Sequence, residues 1–150
     1  MTGTRGARCR GFTLIEMLIA IVVIGALTAI AFPRMRQFGD AMAVRNGRNA
    51  LANLAAQTRA RALTRGAPAR LRVTQDSAWI EMQVGAAWQD VGVSEQVLQR
   101  GGLAYAGPAS LIFLPTGTAI IAGGEEQVEL AVSHGGQSKS LVVTRYGRVE

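Results

Sequence analysis

Residues Arg10–Pro33 read RGFTLIEMLIAIVVIGALTAIAFP, and the twenty-one residues from Phe12 to Phe32 are almost wholly apolar, yet the fifth of them is Glu16. An α-helix rises about 1.5 Å per residue, so the run spans about 31 Å, the thickness of a bilayer's hydrocarbon. It is long enough to cross once. Three arginines, Arg5, Arg8 and Arg10, stand before it. A plain membrane anchor leaves Glu16 unexplained, because a charged side chain near the bilayer centre costs about 2.5–3.5 kcal/mol or more. A cleavable secretory signal accounts for the basic start and the small-x-small triplet Ala29-Ile30-Ala31. Its apolar region, however, runs only about 7 to 15 residues. Some partner must compensate the carboxylate.

Gly11-Phe12-Thr13-Leu14-Ile15-Glu16, after a short basic leader and before an apolar helix that ends at Pro33, resembles the class III signal of type IV pilins and type II secretion pseudopilins. The resemblance implies that a prepilin peptidase cuts between Gly11 and Phe12 and that the new amino terminus at Phe12 is methylated. It also implies that Glu16 stays in the mature chain and pairs with an amino-terminal ammonium during assembly. The physics agrees. A buried carboxylate without a partner is expensive, and an ammonium on an adjacent, axially staggered subunit offsets the cost in low dielectric. Glu16 then serves as a register device.

Beyond the apolar run, Pro33 interrupts helical hydrogen bonding and predicts a kink, with Gly39 and Gly47 as further soft points. The helical pattern nevertheless continues. Val44, Gly47, Leu51, Leu54 or Ala55, Thr58 and Ala62 recur at three- and four-residue spacing, a single stripe fit to pack on a sheet, with Arg45, Asn49 and Arg59 off it. Gly66 and Pro68 place the helix stop near Thr64 or Arg65. After Pro68 the chain changes to short alternating runs at 69–74, 78–84, 86–93, 110–114, 118–121, 127–133 and 140–149. Turn signals separate them at Asp76-Ser77, Gly85-Ala86, Pro115-Thr116-Gly117, Gly123-Gly124 and Gly135-Gly136. The expected fold is therefore α+β and pilin-like, a long amino-terminal helix packed on antiparallel β-sheets. Four segments follow: leader 1–11, transmembrane and filament-core helix 12–32, its amphipathic continuation 33–66, and a periplasmic β-sheet domain 67–150. Trp79 and Trp88 read as core or sheet-edge packing.

Charge is uneven along the chain. The net charge of +6 hides a middle segment, Pro33 to Gln75, with nine arginines against Asp40 alone, and a region from Asp76 onward with four bases against eight acids. The bland account of the arginines is a solvated helix face plus a headgroup-proximal pair, Arg34 and Arg36. Phe38 is the one aromatic residue from Pro33 to Gln75, which argues against stacking on single-stranded nucleic acid. Cys9, in the leader, is the only cysteine, so no intrachain disulfide forms.

FLPTGTA (Phe113–Ala119) and LVVTRYGRV (Leu141–Val149) carry a second resemblance, to the H-class minor pseudopilins and the related FimT/FimU-type minor pilins. Read from the residues alone, Pro115 and Gly117 set a turn between two strands, and Tyr146-Gly147 bends the last one. The resemblance implies a minor pseudopilin at the tip region of the periplasmic pseudopilus of type II secretion. That subunit would be single-pass in the inner membrane, with other minor pseudopilins, the major pseudopilin, prepilin peptidase and the inner-membrane assembly platform as partners. The alternative is a minor pilin of a type IV pilus that takes up DNA, with Lys139, Arg145 and Arg148 as contacts. Glu150 stands where the DNA-binding relatives carry a second base in Gly-Arg-x-Arg, against that alternative.

No catalytic residues, metal or cofactor are expected. His134 lies between Gly-rich turn signals with no second His and no Cys nearby, and Ser133-His134 lacks a third orienting group. Glu125, Glu126 and Glu129 fit a turn and a solvated strand face. A secreted hydrolase with a signal peptide over its first 31 residues is set aside, since no constellation carries the chemistry.

Overall fold

The computed structural model describes residues 12–92 and 96–150. They divide into two compact units, Met1–Arg36 and Gln37–Glu150. Helix α1 (Leu14–Arg65) contributes to both and passes through Pro33 without ending. The ring there removes one helical N–H, so the carbonyl of Ala29 loses its donor while the helix continues.

In the second unit, the buried positions of α1 are Val44, Gly47, Leu51, Leu54, Ala55, Thr58 and Ala62, the stripe read from spacing. Thr58 stays inside because its hydroxyl donates to the Leu54 carbonyl at 2.6 Å. Gly47 is not a soft point. A Cβ there would lie 2.2 Å from Leu103 Cδ1, so the missing side chain is the seat for Leu103. The helix stops at Arg65, and Gly66 follows with φ +63°, as a helix-terminating glycine should.

The strands are β1 (Ala69–Val73), β2 (Ala78–Val84), β3 (Ala87–Asp90), β4 (Ala104–Ala106), β5 (Ser110–Phe113), β6 (Ala119–Ile120), β7 (Gln127–His134) and β8 (Gln137–Thr144). All pair antiparallel, in a five-stranded sheet A ordered β3-β2-β1-β5-β6 and a three-stranded sheet B ordered β4-β7-β8. Fully buried Leu51, Leu71, Phe113, Leu98, Leu130 and Leu141 draw the helix and both sheets into one core. Each such side chain contributes about 1.5–3 kcal/mol relative to exposure.

Two expectations need correction, and two elements were not anticipated. The run 86–93 pairs only over Ala87–Asp90, and Val93 lies outside the described residues. The closing run 140–149 is not one strand: β8 ends at Thr144, and the chain turns so that Val149 bridges back to Val143. Helix α2 (Val97–Gly101) and β4 carry no alternating signal. α2 closes through Gly102 (φ +58°), whose N–H donates to the Gln99 carbonyl at 3.1 Å while Leu103 N–H reaches the Leu98 carbonyl at 2.9 Å. That paired cap, with Leu98 and Leu103 both buried, holds a helix too short for periodicity to show.

Candidate functional site

The amino-terminal unit offers two features. The first is exposure: every described residue from 12 to 39 is solvent-exposed, including Ile15, Leu18, Ile21 and Ile24. α1 is long and apolar enough there to cross a membrane. At the far end of the run Arg36 stacks on Phe32, its guanidinium carbon 4.6 Å from the ring centroid, which suits a headgroup-level cation above an apolar side chain. The second is local chemistry at the helix start. Glu16 N–H donates to Thr13 Oγ1 at 3.3 Å, and Thr13 N–H donates back to Glu16 Oε2 at 3.3 Å. This is a reciprocal capping box, with Thr13 as N-cap and Glu16 three residues on. Thr13-x-x-Glu16 was legible as such a box, and the sequence reading missed it. Phe12 is exposed immediately before the cap, and Gly11 lies outside the described residues.

The structure brings the two turn motifs together. Ala119 N–H donates to the Arg145 carbonyl at 2.8 Å, joining β6 of sheet A to the end of β8 in sheet B. Gly117 and Gly147 are both buried, with φ +83° and +74°, and a Cβ on Gly147 would stand 2.2 Å from the Gly117 carbonyl oxygen. Arg59 Nε donates to that oxygen at 3.0 Å. Arg59 was placed only off the helix stripe; nothing in its spacing announces that it ties α1 to a turn 58 residues away. Pro115 opens the 115–117 turn, in which Gly117 N–H returns to the Leu114 carbonyl at 2.8 Å.

The three bases named for DNA are not gathered. Arg148 pairs with Glu150 at 2.9 Å. Arg145 lines a small cavity with Glu125, Leu114 and Ile121. Lys139 lies six residues before Arg145 in the chain, about 20 Å in extended geometry, and joins Arg45 and Arg48 of α1 in a different groove.

Trp79 and Trp88 are outside the core. Both are half-buried on the face of sheet A opposite Leu71 and Ile80, with Arg70 4.4 Å over the Trp88 ring and Arg72 5.8 Å over Trp79. Arginine covers these rings, so they do not form an open stacking platform. Between them Glu81 accepts from Arg70 Nε at 2.6 Å and from Trp79 Nε1 at 2.9 Å. Burial pushes the Glu81 carboxyl up, but hydrogen bonds from Arg70 and Trp79 and the charges of Arg70 and Arg72 outweigh it, leaving it below the ordinary 4.5. A group depressed in the fold stabilises above its unfolded value and loses that contribution as pH falls through the folded one. Glu81→Gln is therefore expected to flatten the fall in stability below about pH 4.5, read by urea unfolding across a pH series. An unchanged pH slope would remove Glu81 from the account.

His134 ends β7 and faces two acceptors: Nδ1 is 2.8 Å from the Gly102 carbonyl, and Nε2 is 3.5 Å from Asp40 Oδ1 on α1. It is a link between the hairpin tip, α1 and the α2 cap rather than a free loop residue.

Comparison with known proteins adds two findings. The family described as the prokaryotic N-terminal methylation motif matches residues 6–32. Two crystal structures of the type IV minor pilin FimU from Pseudomonas aeruginosa, in space groups P21 and P65, are similar in fold, with TM-scores of 0.60 and 0.58 at 12% identity. Each comparison covers 71% of this chain, and 86% and 90% of the respective FimU chains. No curated protein matches the chain.

Proposed function

We propose that this chain, type IV pilin-like in its amino-terminal motif and in its fold, is a minor subunit of a type IV-related filament: it is cut after Gly11, methylated at Phe12 and built in through its apolar helix. The observation that carries the reading is the first unit's surface. A helix whose described side chains from 12 to 36 are all exposed, with only Glu16, Arg34 and Arg36 charged, calls for cover from outside: lipid before assembly and neighbouring helices after it. The sheet domain is then displayed on the periplasmic side. Glu16, held by Thr13 in the single chain, exchanges that partner for the ammonium of an adjacent subunit's Phe12 on entering the filament. Prepilin peptidase, the major subunit, other minor subunits and the inner-membrane assembly platform are the partners this requires.

Within that reading the filament is the pseudopilus of type II secretion, with this subunit in its tip region. Glu150, standing where DNA-binding minor pilins carry a second base in Gly-Arg-x-Arg, supports it, while the turn motifs at 113–119 and 141–149 fit both readings. A second reading, a minor pilin of a type IV pilus, is favoured by the likeness to FimU. Deleting the gene separates them: loss of protein export supports the first, and loss of surface pili with export intact supports the second.

The processing step is tested by intact mass and amino-terminal sequencing of the chain recovered from its host's membranes. A start at methylated Phe12 is expected. A start near Phe32, or an uncut Met1, would remove the filament mechanism.

A further inference from the structure

Sheet B leaves a short length of edge bare. β8 is its outer strand, and the even-numbered residues of β8 turn their backbone groups away from β7: Val142 exchanges hydrogen bonds with Glu150 at 3.0 and 2.9 Å, and Thr144 N–H donates to the Arg148 carbonyl at 2.9 Å. Residues 148–150 thus lie along that half of the edge as a short antiparallel partner. The same alternation carries to Ser138 and Ser140, both exposed. Ser140 O accepts from Arg48 Nε at 3.1 Å and, as a carbonyl, keeps a second lone pair. The N–H groups of Ser138 and Ser140 and the carbonyl of Ser138 find no partner among the described residues. Donors and acceptors therefore alternate along this stretch in the order that a further β-strand needs.

The side chains beside the edge decide what such a strand must carry. An open groove of about 860 Å³ runs along Ser138–Ser140, lined by Arg45, Arg48 and Asn49 of α1 and by Lys139 and Glu129 of sheet B. Lys139 alternates with buried Leu141 and Val143, so it leaves β8 on the face that packs on the core, the face against which α1 also lies. Glu129, opposite Val142, belongs to the other face with Ser138 and Ser140. An added strand sends alternate side chains to these two faces. Those on the core face meet Lys139 and the two arginines, where carboxylates are matched; those on the other meet serine hydroxyls and Glu129, where neutral or basic groups suit. A second β8 would bring another Lys139 and another pair of arginines into the same groove, and like charges set opposite one another resist pairing. The edge therefore selects a different chain.

We propose that the bare edge at Ser138–Ser140 receives, as an added strand of sheet B, an extended segment of a different subunit of the same filament, with carboxylates on alternate residues. The partner residue opposite Ser138 exchanges two hydrogen bonds with it, and a second partner carbonyl accepts from Ser140 N–H. The carboxylates lie against Lys139, Arg45 and Arg48. This contact rests on the assembly reading above and gives the sheet domain a neighbour independent of the apolar helix. It suits a minor subunit, whose neighbours are other chains.

The test uses the full chain in membranes of its host, with p-benzoylphenylalanine in place of Asn49, an exposed residue of α1 on the groove wall. Irradiation is expected to give an adduct with another filament subunit, and mass spectrometry to map the link to a segment with acids at every second position. Ser138→Pro removes the outward N–H without touching the bonds to β7, since proline is accepted on an edge strand, and should cut the adduct about tenfold. Arg48→Glu should cut it as far, while Arg48→Lys and Ser138→Ala leave it unchanged. Recovery of the photoreactive chain in sedimented filaments is read separately. Filament recovery with no adduct, or with adducts only to lipid, nucleic acid, an exported protein or a second copy of this chain, overturns the contact and leaves the assembly reading standing. An adduct that survives both Ser138→Pro and Arg48→Glu overturns it as well. Absence of filaments and adduct together overturns both.

Discussion

Glu16→Ala is expected to reach the membrane in native amounts and to fall at least about tenfold in recovery from filaments. The apolar run keeps its length and loses its one internal charge, so insertion becomes easier. On the proposed assembly, what the substitution removes is the partner of a neighbour's amino-terminal ammonium. An unpaired buried charge costs about 3–5 kcal/mol, and about 1.4 kcal/mol already makes a factor of ten. The capping box complicates a simple reading, since Glu16 also accepts from Thr13 N–H in the single chain. Glu16→Gln separates the two roles: glutamine serves as the third residue of a capping box but carries no charge. The expectation is that Gln fails in filaments as Ala does. Recovery of the Gln variant at native levels would assign Glu16 to helix capping and end its role as a register device. Membrane fractionation and filament sedimentation are the two readouts.

Gly147→Ala is expected to lower the stability of the sheet domain by about 2–4 kcal/mol, enough to move its melting temperature by about 10 °C or more. Two costs coincide at this position. The backbone stands at φ +74°, where an L side chain is strained, and the new Cβ meets the Gly117 carbonyl oxygen at 2.2 Å, against backbone that has nowhere to go. Arg59 closes the space from the other side, its Nε 2.7 Å from the same point. Gly117→Ala should cost less, because its nearest neighbours are the flexible ends of Leu63 and Arg59 at 3.2 and 3.4 Å. Gly136→Ala, at φ +81° with nothing within 4 Å, isolates the backbone cost alone. Equal losses at 136 and 147 would show that the junction of the two turns adds nothing to the fold.

How far the sequence foretold this structure depends on the range of the signal. The helix stripe from Val44 to Ala62 was read from sequence except that Leu54 and Ala55 stood as alternatives and both are buried, because one face of a helix is written at three- and four-residue spacing. The helix stop and most strands followed from Gly, Pro and period-two alternation. α2 and β4 were not read, since five and three residues are too few for a period. Sheets in the plural were expected, but which strand goes to which was invisible: the register that sets β5 beside β1 and β7 beside β4 is a long-range choice. The same holds for the candidate site. Gly11, Phe12 and Glu16 stand together in the chain, so a local motif is enough to name them as candidates. Arg59 acts across 58 residues, and Arg45, Arg48 and Lys139 meet only after folding, so local pattern could not join them.

The position of the aromatic residues has an optical consequence. Both tryptophans belong to sheet A, on β2 and β3, each under an arginine, while Tyr105 lies on β4 of sheet B and Tyr146 follows β8. Indole emission therefore watches one sheet and tyrosine emission the other. The backbone bond from Ala119 to Arg145, braced by Arg59, lies between the two fluorophore sets. A spectrofluorimeter alone, with no added label, distinguishes a domain that melts as one body from one whose sheets part company at that bond.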